Sequence, residues 1–162
     1  MTRRHLVTAG IAGLVTAAAA AWRTTAHGVG PAFEVTHTDA DWRRLLTASQ
    51  YDVLRRESTE RPFSSPLDRE KRRGVFACAG CALDLYSSET KFESGTGWPS
   101  FWTPLENAVG ETRDISLGMV RTEVHCRRCG GHLGHVFDDG PKPTGLRYCM
   151  NGVAMTFTPG AI

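Results

Sequence analysis

Two Cys-x-x-Cys pairs constrain this 162-residue chain more than any other feature of its sequence. The first pair is Cys78 and Cys81, the second is Cys126 and Cys129, and 44 residues separate the pairs. Each pair can present two thiolates to one ion, and two pairs complete a tetrahedral all-cysteine zinc site. Four protein ligands leave no open coordination position, so such a zinc ion is structural and contributes folding energy. The sequence therefore predicts one structural Zn²⁺ per chain, cross-linking two hairpins.

The same four cysteines allow two other interpretations. They could pair as disulfides in an oxidising compartment. Either pair could instead be a thioredoxin-like redox centre, although no strand–helix–strand pattern surrounds them. Zinc is favoured because two Cys-x-x-Cys pairs at this distance are a specific signal for it.

Hydrophobic spacing predicts a short helix at the start of the folded region. Asp39 or Asp41 can cap it, and Trp42, Leu45 and Leu46 then fall at positions i, i+3 and i+4. These three apolar side chains should share one face of the helix.

A second short helix is predicted from about Ser49 to Arg56, with Tyr51 and Leu54 on one face. The polar segment 57–73 follows, and its two prolines indicate irregular structure.

From Gly74 onward the pattern becomes typical of short β-strands. Apolar or alternating runs between turn residues cover Val75–Ala77, Leu83–Tyr86, Ile115–Val124, Gly134–Phe137, Arg147–Met150 and Val153–Phe157. The 17 glycines and 8 prolines also favour a loop-rich fold over a helical bundle. The prediction is a mainly β domain of antiparallel strands, preceded by two short helices and stabilised by zinc.

The first 26 residues are typical of a signal segment. Arg3 and Arg4 precede an uncharged stretch of about 17 residues, short of the ~20 that a spanning helix needs, and small residues follow. The adjacent arginines resemble a twin-arginine signal, which predicts export, to the periplasm in this interpretation. An uncleaved membrane anchor is the alternative. Residues 27–37 are predicted to form a tether and residues 38–162 the functional domain.

Charge argues against a nucleic-acid-binding function. Residues 1–26 contribute three arginines and no acids, so removing them lowers the net charge from +2 to −1. The remaining chain has no basic excess that would attract nucleic acid or an anionic membrane.

The fifth cysteine, Cys149, is a candidate nucleophile. A lone cysteine is more often a buried small hydrophobic residue. Here Arg147 lies two positions earlier, on the same face if this segment is a strand, and a nearby cation lowers a thiol pKa. Asn151 shares that face as a potential hydrogen-bond donor.

Two further groups of residues suggest a site. His132 and His135 could bind a metal together with Cys149, could be structural, or could deliver protons near neutral pH. Trp98 follows two glycines within the segment 94–102, and this arrangement suggests a backbone that presents the indole. Such an aromatic cluster is, however, more often core than binding surface.

At this level of detail the chain resembles the methionine-(R)-sulfoxide reductases. The resemblance covers nearly all of the chain after the leader. It rests on Asp41-Trp42, Gln50-Tyr51, Thr59-Glu60-Arg61-Pro62-Phe63, both Cys-x-x-Cys pairs, Ser94-Gly95-Thr96-Gly97-Trp98-Pro99-Ser100-Phe101, His132-Leu133-Gly134-His135-Val136-Phe137 and Gly145-Leu146-Arg147-Tyr148-Cys149-Met150-Asn151, in the family's order.

The resemblance implies two antiparallel sheets leaning together, with zinc away from the active site. It implies that Cys149 is the catalytic cysteine and that Trp98, with Phe101, shapes the apolar pocket for the S-methyl group of the substrate. It also assigns active-site roles to a set of polar residues: His132, His135, Asp139, Arg147 and Asn151.

The chemistry of these residue types agrees with that activity. A sulfoxide sulfur is electrophilic, and a thiolate can attack it if the oxygen is protonated as it leaves. Cys149 would supply the thiolate, Arg147 would favour it, and His135, with His132 as a second candidate, would be the acid. The products would be methionine and a sulfenic acid on Cys149. Peptide-bound methionine-(R)-sulfoxide is the expected substrate, with the free amino acid as a second candidate, and repair of oxidised proteins is the expected role.

The chain departs from the family at Thr96, where many members carry a cysteine that resolves the sulfenic acid. If zinc binds the other four cysteines, no internal thiol remains for Cys149. An external thiol reductant, such as a thioredoxin-like protein, is therefore expected to act directly on a monomeric enzyme.

Two functions of other classes compete with this one. A zinc-stabilised binding module would not need Cys149, Trp98 or the two histidines. A metal-dependent enzyme that uses Cys149, His132 and His135 as ligands would require a second metal ion per chain.

Overall fold

The computed structural model describes residues 33–160 of the chain. The predicted signal segment 1–26 and the first part of the predicted tether, residues 27–32, lie outside the described residues. Among residues 33–160, no helix has the length and apolar character needed to cross a membrane.

Within residues 33–160, two short helices precede nine strands. Helix α1 spans Asp39–Leu45 and helix α2 spans Ala48–Arg56. The strands are β1 Gly74–Cys78, β2 Asp84–Ser87, β3 Lys91–Phe92, β4 Ser100–Phe101, β5 Val109–Asp114, β6 Arg121–Cys126, β7 His132–Phe137, β8 Arg147–Met150 and β9 Met155–Pro159.

All strand pairs are antiparallel and form two sheets. The smaller sheet has the order β2–β1–β9, and the larger has the order β3–β4–β8–β7–β6–β5. The prediction of a mainly β fold with two antiparallel sheets and short N-terminal helices is confirmed.

The caps of both helices differ from the expectation. Thr38 rather than Asp39 or Asp41 caps α1, because its hydroxyl accepts a hydrogen bond from the Asp41 amide. Helix α2 begins one residue early, because Thr47 and Gln50 form a reciprocal capping box.

Helix α1 also buries fewer residues than its spacing predicts. Trp42 and Leu46 are buried, whereas Leu45 is 61% exposed. The helix ends at Leu45, so Leu46 reaches the core from an extended backbone and not from the helical face. In α2, Tyr51 and Leu54 are buried as expected.

The predicted single strand Ile115–Val124 is wrong. Strand β5 ends at Asp114, a turn follows, and β6 begins at Arg121. The Asp114 side chain accepts a hydrogen bond from the Ser116 amide (2.8 Å), and Gly118 has a φ of 70°, so the backbone reverses here. Strands β3, β4 and β5 were not anticipated, because two of them have two residues each and β5 is mostly polar.

The larger sheet separates two kinds of side chain by face. One face, called the core face, carries Val124, Leu133, Tyr148, Met150 and Phe101, all of them buried. Phe101 lies between the sheets, stacked on Tyr86 of β2 (4.3 Å between ring centroids) and edge-on to Phe76 of β1 (5.0 Å). The opposite face, called the polar face, is free of this packing.

The last residues of the predicted tether pack against the folded domain. The Val35 amide donates to the Arg128 carbonyl (2.9 Å), and the Phe33 ring contacts His125 edge-on (5.7 Å). Residues 33–37 therefore cover the second Cys-x-x-Cys turn.

Candidate active site

Cys149 lies in β8, on the polar face, between two neighbouring strands. Ser100 of β4 is its register partner on one side and His135 of β7 on the other. Directly opposed residues of antiparallel strands have Cβ atoms about 4.5–5.5 Å apart. The fold therefore places a thiol beside an imidazole and a hydroxyl.

Gly134 allows this close approach of β7 to β8. A Cβ atom at position 134 would lie 2.1 Å from the Cys149 carbonyl oxygen and 3.0 Å from the Met150 Cα. Only glycine leaves room for the neighbouring backbone here.

Burial raises the pKa of the Cys149 thiol above its ordinary value. Hydrogen bonding by Thr96 and the charge of Arg147 act in the opposite direction but do not outweigh burial. Arg147 thus acts in the expected direction without producing a depressed thiol pKa. Its guanidinium is held by two bonds of 2.8 Å to the Asp139 carboxylate and lies 4.5 Å from the Phe137 ring centroid.

Each histidine on the polar face is paired with a carboxylate. His135 Nε2 lies 2.8 Å from Asp114 Oδ2, and His132 Nδ1 lies 2.8 Å from Glu123 Oε1. His132 is 3% exposed, and its Nε2 has no hydrogen-bond partner among the described residues. Burial lowers the pKa of His135, although Asp114 opposes this shift.

Arg121 forms a hydrogen bond to the same carboxylate that is paired with His135. Its Nη2 donates to the same Asp114 oxygen at 2.6 Å. Hydrogen bonds from Ser116, together with those from His135 and Arg121, hold the pKa of Asp114 well below its usual range. Asp114 is therefore an anion whenever His135 titrates.

Glu60 forms hydrogen bonds to several residues that lie near Cys149 in the structure. Its carbonyl accepts from the Trp98 indole Nε1 (3.1 Å), and its amide donates to Asn151 Oδ1 (2.9 Å). Its carboxylate accepts from the amides of Gly152 (2.5 Å) and Val153 (3.0 Å), just after the strand that carries Cys149. Trp98 and Asn151 are therefore fixed by the same short segment.

These groups line a small cleft of about 150 Å³. Drug-sized ligands occupy roughly 300–1,000 Å³, so this cleft suits a single side chain. Its lining residues are Thr59, Trp98, Arg121, Gly134, His135, Phe137, Cys149 and Asn151. An apolar wall, a thiol and an imidazole thus meet at one point.

The four other cysteines form a separate cluster that fits one metal ion. Their sulfur atoms lie within 4.8 Å of one another, with Cys78 Sγ and Cys129 Sγ 3.7 Å apart and Cys81 Sγ and Cys126 Sγ 3.5 Å apart. A tetrahedral site with Zn–S bonds of ~2.3 Å requires sulfur atoms about 3.8 Å apart, whereas a disulfide requires about 2.05 Å. The geometry matches a metal site, and the structure contains no disulfide between these cysteines.

The ionisation of the cluster also favours a cation. The hydrogen bond from Cys129 holds the pKa of Cys126 well below its ordinary value, and the hydrogen bond to Cys126 raises the pKa of Cys129. Four thiolates so close together repel one another, so a divalent cation is needed before all four ionise. Because β1 and β6 belong to different sheets, the cluster joins the two sheets.

Comparisons with known proteins identify the family. A family model described as the SelR domain matches residues 46–159. A "Peptide methionine sulfoxide reductase MsrB" of Agrobacterium fabrum is 54% identical over 127 residues, 78% of this chain and 94% of that protein. Proteins with the same name from Pseudomonas syringae (55% over 120 residues; 74% of this chain, 92% of that protein) and Methanosarcina mazei (52% over 126 residues; 77% and 90%) are also similar. This chain belongs to the MsrB family.

Within this MsrB fold, four of the predicted site residues come together. Cys149, Trp98, His135 and Asn151 all line the cleft. His132 lies behind His135, with ring centroids 5.4 Å apart, and lines a neighbouring cavity instead.

The other predicted residues lie around or outside the cleft. Arg147 and Asp139 form an ion pair beside it, with Asp139 largely exposed. The assignment of Phe101 to substrate binding is not supported by its position, because Phe101 is 0% exposed and fills the core between the sheets. It points away because it follows Ser100, the partner of Cys149, by one residue, and alternate residues of a strand face opposite sides.

Cys149, His132 and His135 do not form a second metal cluster. Within residues 33–160, the only group of three or more potential ligands that converge on one point is the four-cysteine cluster.

Sequence reasoning missed seven residues in or around the site: Thr59, Glu60, Asp114, Arg121, Glu123, Gly134 and Phe137. Glu60 had a weak signal, since it lies in a recognised motif. Arg121 lines the cleft and Asp114 contacts His135 behind it only because of the β5–β6 register, which places Asp114 opposite Arg121.

Proposed function

We propose that this chain is a peptide-methionine (R)-S-oxide reductase that acts through Cys149. The observation that carries the proposal is the direct opposition of Cys149 and His135 in a cleft that Trp98 also lines. Such a site offers a nucleophile, a proton donor and an apolar surface to one methionine sulfoxide side chain. Family membership supports the same activity.

The reaction transfers the sulfoxide oxygen to the enzyme. The Cys149 thiolate attacks the electrophilic sulfur as the oxygen takes a proton from His135. The S–O bond of the substrate and the transient bond between the two sulfur atoms then break as the protonated oxygen moves to Cys149, which releases methionine and leaves a sulfenic acid on Cys149. The substrate sulfur gains two electrons and the cysteine sulfur loses two, so no other redox partner is needed for this step.

Trp98 and Asn151 are proposed to orient the substrate. A ring edge or face beside a sulfur-bound methyl group is a favourable contact, and Asn151 is held by its bonds to Glu60 and to the Leu133 carbonyl (3.0 Å). Arg147, fixed by Asp139, is proposed to oppose the effect of burial on the thiol.

An external dithiol or thioredoxin-like protein is proposed to reduce the sulfenic acid. Thr96 lies beside the nucleophile, with its hydroxyl 3.9 Å from Cys149 Sγ, and it carries no thiol. The other four cysteines belong to the proposed zinc site. Two reductant thiols become a disulfide, and the oxygen leaves as water. Mass spectrometry of the oxidised enzyme should show no intramolecular disulfide that includes Cys149.

Zn²⁺ is proposed as the resident metal, bound by the two Cys-x-x-Cys pairs and structural in role. When bound, it supplies a cross-link between the two sheets and no chemistry to the cleft. The protein is proposed to work as a monomer without nucleic acid.

We also propose that residues 1–26 are a twin-arginine-type signal and that residues 38–162 act in the periplasm. Replacing Arg3 and Arg4 by lysine should retain the protein in the cytoplasmic fraction. Unchanged fractionation would overturn the export proposal, and a full-length product in the membrane fraction would indicate an uncleaved anchor.

The activity is tested with residues 27–162 and separate R and S diastereomers of a methionine sulfoxide substrate plus a dithiol. Methionine should form from the R diastereomer only and should not form with Cys149→Ser. A folded, zinc-loaded protein that reduces neither diastereomer would refute the proposed function and favour a binding module.

A further inference from the structure

We propose that Asp114 is the positioning residue that holds His135 and keeps its Nδ1 as the proton-transferring atom. This inference rests on the proposed function, since it concerns the acid of that reaction. Asp114 lies at the end of β5, which the two strands β6 and β7 separate from the strand of the nucleophile, and it does not line the cleft. It acts only through His135 and Arg121, which do line it.

The hydrogen bonds of Asp114 determine which ring nitrogen of His135 must carry a proton. Oδ2 lies 2.8 Å from His135 Nε2 and accepts from Arg121 at 2.6 Å, while Oδ1 accepts from the Ser116 amide at 2.8 Å. An ionised carboxylate offers only acceptors. The bond to His135 therefore requires a proton on Nε2 in both charge states of the ring.

A permanently protonated Nε2 leaves one ring atom for chemistry. Nδ1 of His135 has no hydrogen-bond partner within residues 33–160, so it is the atom that can give a proton to the sulfoxide oxygen. When Nδ1 loses its proton, the ring becomes the neutral Nε2–H tautomer, and its bond to Asp114 remains. Asp114 thus fixes the tautomer without moving a proton itself, as an orienting carboxylate does beside a catalytic imidazole.

The charges around His135 make Asp114 the group whose loss matters most. Burial and the charge of Arg121 disfavour the imidazolium, whereas the hydrogen bond to Asp114 favours it. The other charged or titratable groups that face the ring or line the neighbouring cavity with it are Arg113 on β5, Glu123 on β6, His132 on the same strand, Cys149 on β8, and Arg56 and Glu57 at the end of α2. None of these is hydrogen-bonded to His135 in the structure.

The pair of Glu123 and His132 provides a matched control for the pair of Asp114 and His135. Glu123 bonds His132 at the same distance, 2.8 Å, as Asp114 bonds His135. Glu123→Gln therefore removes an equivalent charge and an equivalent bond, but from the histidine that does not line the cleft. A general loss of charge on the polar face would affect both variants alike.

The experiment compares Asp114→Asn, Asp114→Glu and Glu123→Gln in the zinc-loaded protein. Long-range ¹H–¹⁵N spectra of the imidazoles give the tautomer and the pKa of His135. In the wild type the neutral ring should be the Nε2–H form. In Asp114→Asn the Nδ1–H form should appear, and the pKa of His135 should move lower. Asp114→Glu should restore part of the original tautomer.

Kinetics supply the second readout. General acid catalysis contributes about 10²–10⁴-fold, so misplacing the acid in Asp114→Asn should lower kcat/KM roughly 10- to 100-fold. The loss should fall mainly on kcat, because Asp114 does not touch substrate, and the acid limb of the pH profile should move to lower pH. Asp114→Glu should recover part of the rate.

An unchanged His135 tautomer and pKa in folded Asp114→Asn would overturn the proposal, as would an equal change at His135 caused by Glu123→Gln. A wild-type protein that reduces no sulfoxide would refute the proposed function instead. The imidazole spectra would still decide whether Asp114 positions His135.

Discussion

Replacing Gly134 by alanine would place one methyl group between β7 and β8 at the reacting pair. The new Cβ would lie 2.1 Å from the Cys149 carbonyl oxygen, whereas relaxed non-bonded contacts need about 3.5 Å. The two strands must therefore separate locally by about 1 Å. Overpacking of this kind costs about 1–3 kcal/mol of stability. A displacement of about 1 Å at a catalytic group can also lower the rate ~100-fold.

Gly145→Ala is the matched control for this variant. Gly145 has a φ of 75°, and a Cβ there would meet nothing within 4 Å. The left-handed backbone alone costs alanine about 1–2 kcal/mol, so both variants should lose similar stability in urea unfolding. Only Gly134→Ala should lose kcat/KM for the R-sulfoxide. Wild-type activity in folded Gly134→Ala would refute the idea that the close approach of β7 sets the geometry of the site.

Three other substitutions test the remaining parts of the structure. Cys126→Ser should bind less than one zinc per chain by elemental analysis and should lose its fold by circular dichroism, because structural zinc binding supplies about 10–16 kcal/mol in small domains. Glu60→Gln should lower the free energy of unfolding by about 1–3 kcal/mol, because one backbone amide loses its acceptor. Since burial raises the pKa of Glu60, its protonation contributes stability that is present at low pH and lost as pH rises through the folded-state pKa. The deficit of Glu60→Gln should therefore grow on acidification. Arg147→Met should move the pH midpoint of iodoacetamide alkylation of Cys149 upward, since Arg147 lowers that pKa.

Each of these three predictions can be contradicted by one experimental result. Full zinc content in Cys126→Ser would contradict the four-ligand site. Equal stability of Glu60→Gln and the wild type at every pH would mean that the carboxylate contacts contribute nothing. An unchanged alkylation midpoint in Arg147→Met would remove Arg147 from the environment of the thiol.

Local sequence signals predicted those features that depend on short spacings. The Cys-x-x-Cys pairs converge because each turn brings its own two sulfurs together, and the fold then needs to join only two turns. The strand that carries Cys149 matched its predicted bounds, Arg147–Met150, because its residues alternate between the polar and core faces. Helix α2 was recognised from Tyr51 and Leu54.

Features that depend on register between distant strands were out of reach. Asp114 and Glu123 belong to a polar hairpin with little hydrophobic periodicity, and nothing local pairs them with histidines on β7. Phe101 was misassigned for the same reason. Whether a strand residue faces the cleft or the core depends on its neighbour strand, and β4, with two residues, has too little pattern to reveal it.

The separation of the larger sheet into a polar and a core face limits how this chain can change in length. Inserting one residue between Arg147 and Cys149 would place these two side chains on opposite faces of the sheet, because the side chains of β8 alternate with a period of two. An insertion of the same size in the turn 138–146 would leave both faces intact. Related chains should therefore vary in length at such turns and keep an unbroken residue count within β8.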